Sequence, residues 1–182
     1  LLSGGLWSSA ALLGLSLFVI SPSASYAAGE LQKAIDDASE FATVKLGPGL
    51  YEGNIVIRKP LTLVAAQPSA VIKGVGKGSV VTVESSYVTI EGLEIINSGG
   101  EHQTIDSGIT VKNGFNVKIK NNKIHECLFG VNLEKSNNCV VEDNQISSKN
   151  LSLGLRGDGI RLWYSHSNLI IKNHTFQVRD NV

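Results

Sequence analysis

Three stretches of the chain, Gly108-Ile109-Thr110-Val111, Gly130-Val131-Asn132-Leu133 and Gly159-Ile160-Arg161-Leu162, share one pattern: a glycine, then apolar residues on either side of a polar one. The glycines are 22 and 29 residues apart, and Asn181-Val182 reopens the pattern after 22 more. Ten residues beyond the first apolar anchor stands a second, at Ile119, Val141 and Ile170, and three further on an asparagine, at Asn122, Asn144 and Asn173. A degenerate earlier copy runs through Val81, Val83, Ile90 and Leu93. The longer interval is the 22-residue unit with seven residues added, so extra loops, over 97–108 and 147–158, leave the same corner on alternate turns. A short period with strand-like alternation and polar corners is the signature of a solenoid. The units carry no 3.6-residue stripe, which excludes a helical one.

Outward positions support the register. Glu84, Lys112 and Glu134 occupy one column, Glu91, Lys120 and Glu142 a second, and Glu94, Lys123 and Gln145 a third. Equivalent residues in a parallel stack lie about 4.8 Å apart. Opposite charges at that spacing contribute roughly 0.2–1 kcal/mol each, and like charges destabilise. The aliphatic anchors between these columns form the core. The predicted fold is all-β, a right-handed parallel β-helix, its hand following the general rule for parallel crossovers. The repeat glycines are read as left-handed corner residues, a conformation asparagine also tolerates, so Asn181 can stand in for one.

The chain of 182 residues carries 16 basic and 16 acidic side chains, with no basic stripe for a phosphate backbone. Nucleic-acid binding is thereby disfavoured. Residues 1–27 differ in character: an apolar run from Leu12 to Ile20 precedes Ser21-Pro22 and a small-residue stretch. Ser25 at −3 and Ala27 at −1 predict signal-peptidase cleavage after Ala27, with an uncleaved anchor as the alternative. The run is too short for an ordinary membrane span, and none is predicted in the mature domain, 28–182. Within that domain, residues 30–42 read as an amphipathic capping helix with Leu31, Ala34, Ile35 and Ala38 on one face, and residues 43–182 as coils. The last repeat stops at Val182, its first core anchor, so the chain reads as the N-terminal piece of a longer protein.

Residues 46–57, Leu46-Gly-Pro-Gly-Leu-Tyr-Glu-Gly-Asn-Ile-Val-Ile57, together with the repeats, resemble the broad β-helix superfamily of carbohydrate-binding proteins and sugar hydrolases. More specific is Gly157-Asp-Gly-Ile-Arg-Leu-Trp-Tyr-Ser-His-Ser-Asn-Leu-Ile170, followed by Val178-Arg-Asp-Asn-Val182. With the capping helix and export signal, these resemble the NosD family, periplasmic β-helix accessory proteins of nitrous oxide reductase. That resemblance implies a periplasmic protein acting with an ABC transporter to assemble the reductase's copper–sulfur centre, and often labelled copper-binding.

The residues lend the copper label little support. The chain has no Met, whereas soft Cu(I) sites favour thioether or thiolate donors. The candidate ligands His102, His125, His166 and His174 share no column, although the last two fall within one turn. Cys139 follows Val88 and Val117 in a core column, Cys127 lies near a corner, and their spacing decides no disulfide. Asp158 and Asp180, 22 residues apart, should stack one turn apart with Arg156 and Arg179 close by. Such a pair would suit calcium binding or proton transfer in a β-helix lyase or glycosidase, but is commonly a turn device. Trp163, in the outward column of Lys112, is expected to be exposed. Its ring could stack on a sugar, pack under a loop or anchor a protein partner, and with Tyr164 and Arg161 it is the candidate partner-binding group. Two functional classes stay open: a non-enzymatic maturation factor that docks on partners, and a secreted polysaccharide lyase or glycoside hydrolase.

Overall fold

A computed structural model of the chain describes residues 17–20, 25–26 and 29–182. Of the predicted leader, the other residues lie outside the described ones, while β1 (Leu17–Ile20) and β2 (Ser25–Tyr26) lie alongside the first coil. Helix α1 (Glu30–Asp37) follows. The first full coil is β3 (Thr43–Leu46), β4 (Gly49–Glu52) and β5 (Ile55–Ile57), and the second β6 (Thr62–Ala65), β7 (Ala70–Lys73) and β8 (Val81–Val83). The third is β9 (Thr89–Glu91), β10 (Glu94–Ile96) and β11 (Ser107–Lys112). The fourth is β12 (Lys118–Lys120), β13 (Lys123–Cys127) and β14 (Phe129–Glu134). The fifth is β15 (Val140–Glu142), β16 (Gln145–Ser148) and β17 (Ile160–Trp163), beyond which β18 (Leu169–Ile171) and β19 (His174–Phe176) begin another.

Among the described residues all strand pairs are parallel, and they form three sheets: A from β1, β3, β6, β9, β12, β15 and β18; B from β2, β4, β7, β10, β13, β16 and β19; and C from β5, β8, β11, β14 and β17. This is the expected parallel β-solenoid. The register is the one read from the repeat: Val83, Val111, Leu133 and Leu162 align, as do Ile90, Ile119, Val141 and Ile170. These anchors fill one continuous core, because alternate side chains of every strand point to the solenoid axis. The outward columns also hold. Lys120 pairs with Glu142 at 3.3 Å and Lys123 with Glu94 at 3.0 Å, while Glu84 is taken by Arg58 at 3.2 Å.

Asn122 and Asn144 turn inward and are buried. Asn144 Oδ1 accepts from the Asn122 backbone N–H (2.9 Å) and side-chain amide (3.0 Å), and its own amide donates to Ile119 O and Asn173 Oδ1, each at 2.9 Å. The asparagines thus form a ladder that satisfies each turn's free backbone groups with the next turn's side chain.

The role assigned to the repeat glycines needs correction. Gly108, Gly130 and Gly159 do not adopt positive φ; the left-handed corners fall at Asn113, Lys135 and Tyr164, at Asn116, Asn138 and Ser167, and at Gly92, Asn121, Asp143 and Lys172. What the glycines supply is space. A Cβ on Gly108 would lie 2.3 Å from Ile124 Cγ2, and one on Gly130 2.2 Å from Ile146 Cγ2.

The predicted helix is also shorter than 30–42. It stops at Asp37, because Ala38 is already extended and Phe41 is left-handed. Leu31, Ile35, Ala38 and Ala42 are nonetheless buried, so the segment still covers the core. Gln32 completes the cap: its amide nitrogen donates to Val56 O (3.0 Å) and its oxygen accepts from Val56 N–H (2.7 Å). One side chain thereby occupies both backbone groups that Val56 presents at the edge of sheet C.

Candidate functional site

The connections from sheet B to sheet C build one wall of the molecule. Residues 97–106 join β10 to β11, and residues 149–159 join β16 to β17, so both insertions leave the same corner, as the spacing requires. They touch: His102 Nε2 donates to Leu155 O at 3.0 Å, and the His102 ring packs edge-on to Phe129 between them, with centroids 5.6 Å apart. The later insertion carries a short 3₁₀ turn, Leu153–Leu155. Its base is fixed by Gly157 N–H donating to Leu128 O (3.1 Å) and Arg156 Nε to Leu151 O (2.7 Å). Leu153 and Leu155 are 60% and 58% exposed.

Beside this wall the outward face of sheet C carries Thr82, Thr110, Asn132 and Arg161 in one column and Glu84, Lys112, Glu134 and Trp163 in the next. Between face and wall lies a polar cleft of about 300 Å³, bordered by Ser79, Thr104, Asp106, Thr110, Lys112 and Glu134. Asp106 is buried and spoken for: Thr104 Oγ1 donates to it at 2.7 Å and the Glu101 N–H at 3.1 Å.

Trp163 pairs with Glu134 across the rung and is 49% exposed, as its column demands, and Tyr164 is 69% exposed. Their rings meet edge to face at 5.0 Å, and the Arg161 guanidinium lies 4.9 Å from the Trp163 centroid. Arg161 also donates to Asn132 Oδ1 at 3.1 Å. The three predicted partner-binding residues are therefore one cluster, preorganised by stacking.

The catalytic candidates assemble differently from the prediction. Asp158 and Asp180 do stack, their carbonyls accepting from Gly130 N–H and Gly159 N–H. Arg156, however, turns to the Leu151 carbonyl. It is Arg179 that binds both carboxylates, at 2.7 Å to Asp158 Oδ1 and 3.2 Å to Asp180 Oδ2. The bonds from Asp158 raise the Arg179 guanidinium above its ordinary value. The trio closes the later insertion onto the following coil.

The candidate metal ligands stay apart. His102 is engaged between the insertions, His125 Nε2 meets Glu94 Oε1 at 2.6 Å on sheet B, His166 is exposed at the next corner, and His174 packs against Phe176. Burial pushes the Glu94 carboxyl up, but the bonds from His125 and Lys123 outweigh it and hold the group below its usual value. Cys127 and Cys139 are free, buried thiols; burial pushes Cys127 to about 11 and also raises Cys139. Among the described residues, no three His, Cys, Asp or Glu side chains come together in a group that could hold a metal ion. The donors present do not fit a copper site. Among the described residues no helix is long and apolar enough to cross a membrane.

The model of the right-handed β-helix region matches residues 70–176, more than half of the sequence. The chain belongs to that family. Among curated proteins, this β-helix is 33% identical over 137 residues to the probable ABC transporter binding protein NosD of Pseudomonas aeruginosa, covering 74% of this chain and 32% of that one. It is also 37% identical over 128 residues to a cell surface glycoprotein of Methanothermus fervidus, covering 62% of this chain and 20% of the other. The β-helix thus spans about a third or less of the length of these relatives. Among solved structures, an alginate lyase from a Paenibacillus species superposes with a TM-score of 0.71 at 20% identity, over 85% of this chain and 58% of that one. The match to the lyase shows the fold alone. The NosD resemblance read from residues 157–182 stands.

Proposed function

We propose that this chain is part of an exported, non-enzymatic accessory protein that docks on an ABC transporter and supports assembly of the copper centre of nitrous oxide reductase in the periplasm. The observation that carries this reading is the identity with the Pseudomonas protein, whose name is that of a transporter-binding protein. The surface is in keeping with it: outward charges neutralise one another in columns, and beside them the Arg161–Trp163–Tyr164 cluster presents two exposed rings. Exposed aromatics with an adjacent Arg are the usual anchors of protein interfaces. Copper is the cargo of this reading, not a resident of the chain. Co-purification from periplasm tests it. Full-length protein should retain transporter subunits, and Trp163→Ala should weaken that retention by about tenfold or more with folding intact. Retention unchanged by loss of Trp163, Tyr164 and Arg161 together would remove the cluster from the interface.

A second reading, a secreted polysaccharide lyase or glycoside hydrolase, is favoured by the polar cleft over sheet C, with Lys112 and Glu134 on its floor and Asp106 in its wall. Incubation of the full-length protein with uronic-acid polysaccharides decides between them. Chain cleavage that disappears in Lys112→Ala would transfer the function to this class.

A further inference from the structure

The side chains of Leu153 and Leu155, in the turn at residues 151–155, take no part in the buried core. Leu153 and Leu155 project from the corner with more than half their surface in water, although a solenoid loop has free choice of polar residues there. Around them the backbone is held rigidly. Lys149 N–H donates to Cys127 O, Gly157 N–H to Leu128 O, Arg156 Nε to Leu151 O, and His102, 53 residues away, to Leu155 O. Four separate groups thus fix a projection whose two leucines stay more than half exposed. A rigid apolar tip loses little conformational freedom on binding, the property that distinguishes an interface anchor from a floppy loop. Lys149 and Arg156 flank it, so the matching surface is an apolar pocket with an acidic rim.

We propose that the Leu153–Leu155 turn inserts into such a pocket on the transporter subunit that the chain binds. The proposal rests on the docking reading above and adds a second contact, on the corner of sheet C opposite the aromatic cluster. A lipid surface is the weaker occupant, since two leucines and two cations fall short of what stable membrane attachment requires.

Thiol labelling tests it on the full-length protein. Cys127 and Cys139 are both buried, so once any cysteine outside residues 1–182 is replaced by Ser, a maleimide reports selectively on an introduced Leu153→Cys. That thiol should label rapidly in the free protein, and transporter should slow labelling by about tenfold or more, the expected protection of an interface core. Leu153→Ser combined with Leu155→Ser should weaken transporter binding by a similar factor, whereas Val75→Ser, at an exposed apolar site on another coil, should not. A double variant that binds like the parent, a Leu153→Cys already protected in the free protein, or protection by vesicles of anionic phospholipid alone would each overturn the proposal. Loss of binding by the parent protein itself would instead overturn the docking reading beneath it.

Discussion

Asn144 is the residue on which two turns depend at once. Its side chain bonds to the backbone N–H of Asn122 and the carbonyl of Ile119, and to the amides of both neighbouring asparagines. Asn144→Ala leaves a buried donor and acceptor without partners, at a cost of roughly 1–3 kcal/mol for each group. The expected loss is about 2–4 kcal/mol in urea unfolding, larger than for Asn173→Ala at the half-buried end of the ladder. Gly130→Ala should cost about 1–3 kcal/mol by overpacking, since the added methyl meets Ile146 Cγ2 and the Gly159 carbonyl, at 2.2 and 2.3 Å. A stability within a few tenths of wild type would refute the steric account. Glu94 sets a pH signature. Its folded value is depressed, so its stabilisation is complete above the unfolded carboxylate value of about 4.3 and fades as pH falls through the lower folded value. Glu94→Gln should thus be less stable than the parent at pH 7, and the two should converge near pH 3 in paired denaturation curves.

At the scale of elements, α1 closes the stack less by its length than by one side chain. Gln32 pairs with both backbone groups of Val56. Gln32→Leu keeps the volume and removes the bonds, so about 1–3 kcal/mol should go. Amide exchange at Val56 should accelerate while exchange in β14 stays slow. The amphipathic segment and its capping role were legible, because Leu31, Ile35 and Ala38 recur at helical spacing. The end at Asp37 was not, because Ala38 and Ala42 are buried in either conformation and so leave the same apolar pattern. The paired insertions were legible from the seven extra residues alone. That His102 fastens one to the other was not, since nothing in a lone histidine points to a carbonyl 53 positions away.

For the whole molecule, the solenoid makes stability a sum over neighbouring turns with exposed ends as its weak points. Removing residues 1–42 strips the cap from β5 and should convert the protein into concentration-dependent oligomers, visible by size-exclusion chromatography. A monodisperse monomer would show that the edge is protected by other means. The outward face of sheet C is likewise a property of the assembly. Thr82, Thr110, Asn132 and Arg161 are dispersed in sequence, and become one column beside one cleft only when the turns stack.

What the sequence alone determined was the repeat, the stacking register, the inward columns and the outward position of Trp163. Those follow from a strict side-chain period of two joined to a fixed turn length, which leaves one stacking that buries every anchor. Only the tertiary structure decided that Gly108 and Gly130 are there for room, that Arg179 and not Arg156 holds Asp158 and Asp180, and that the four histidines never meet. Each of those depends on separations of an ångström or two between side chains on different turns and loops. A linear pattern records which residues face the same way, but not how far apart the stacking leaves them.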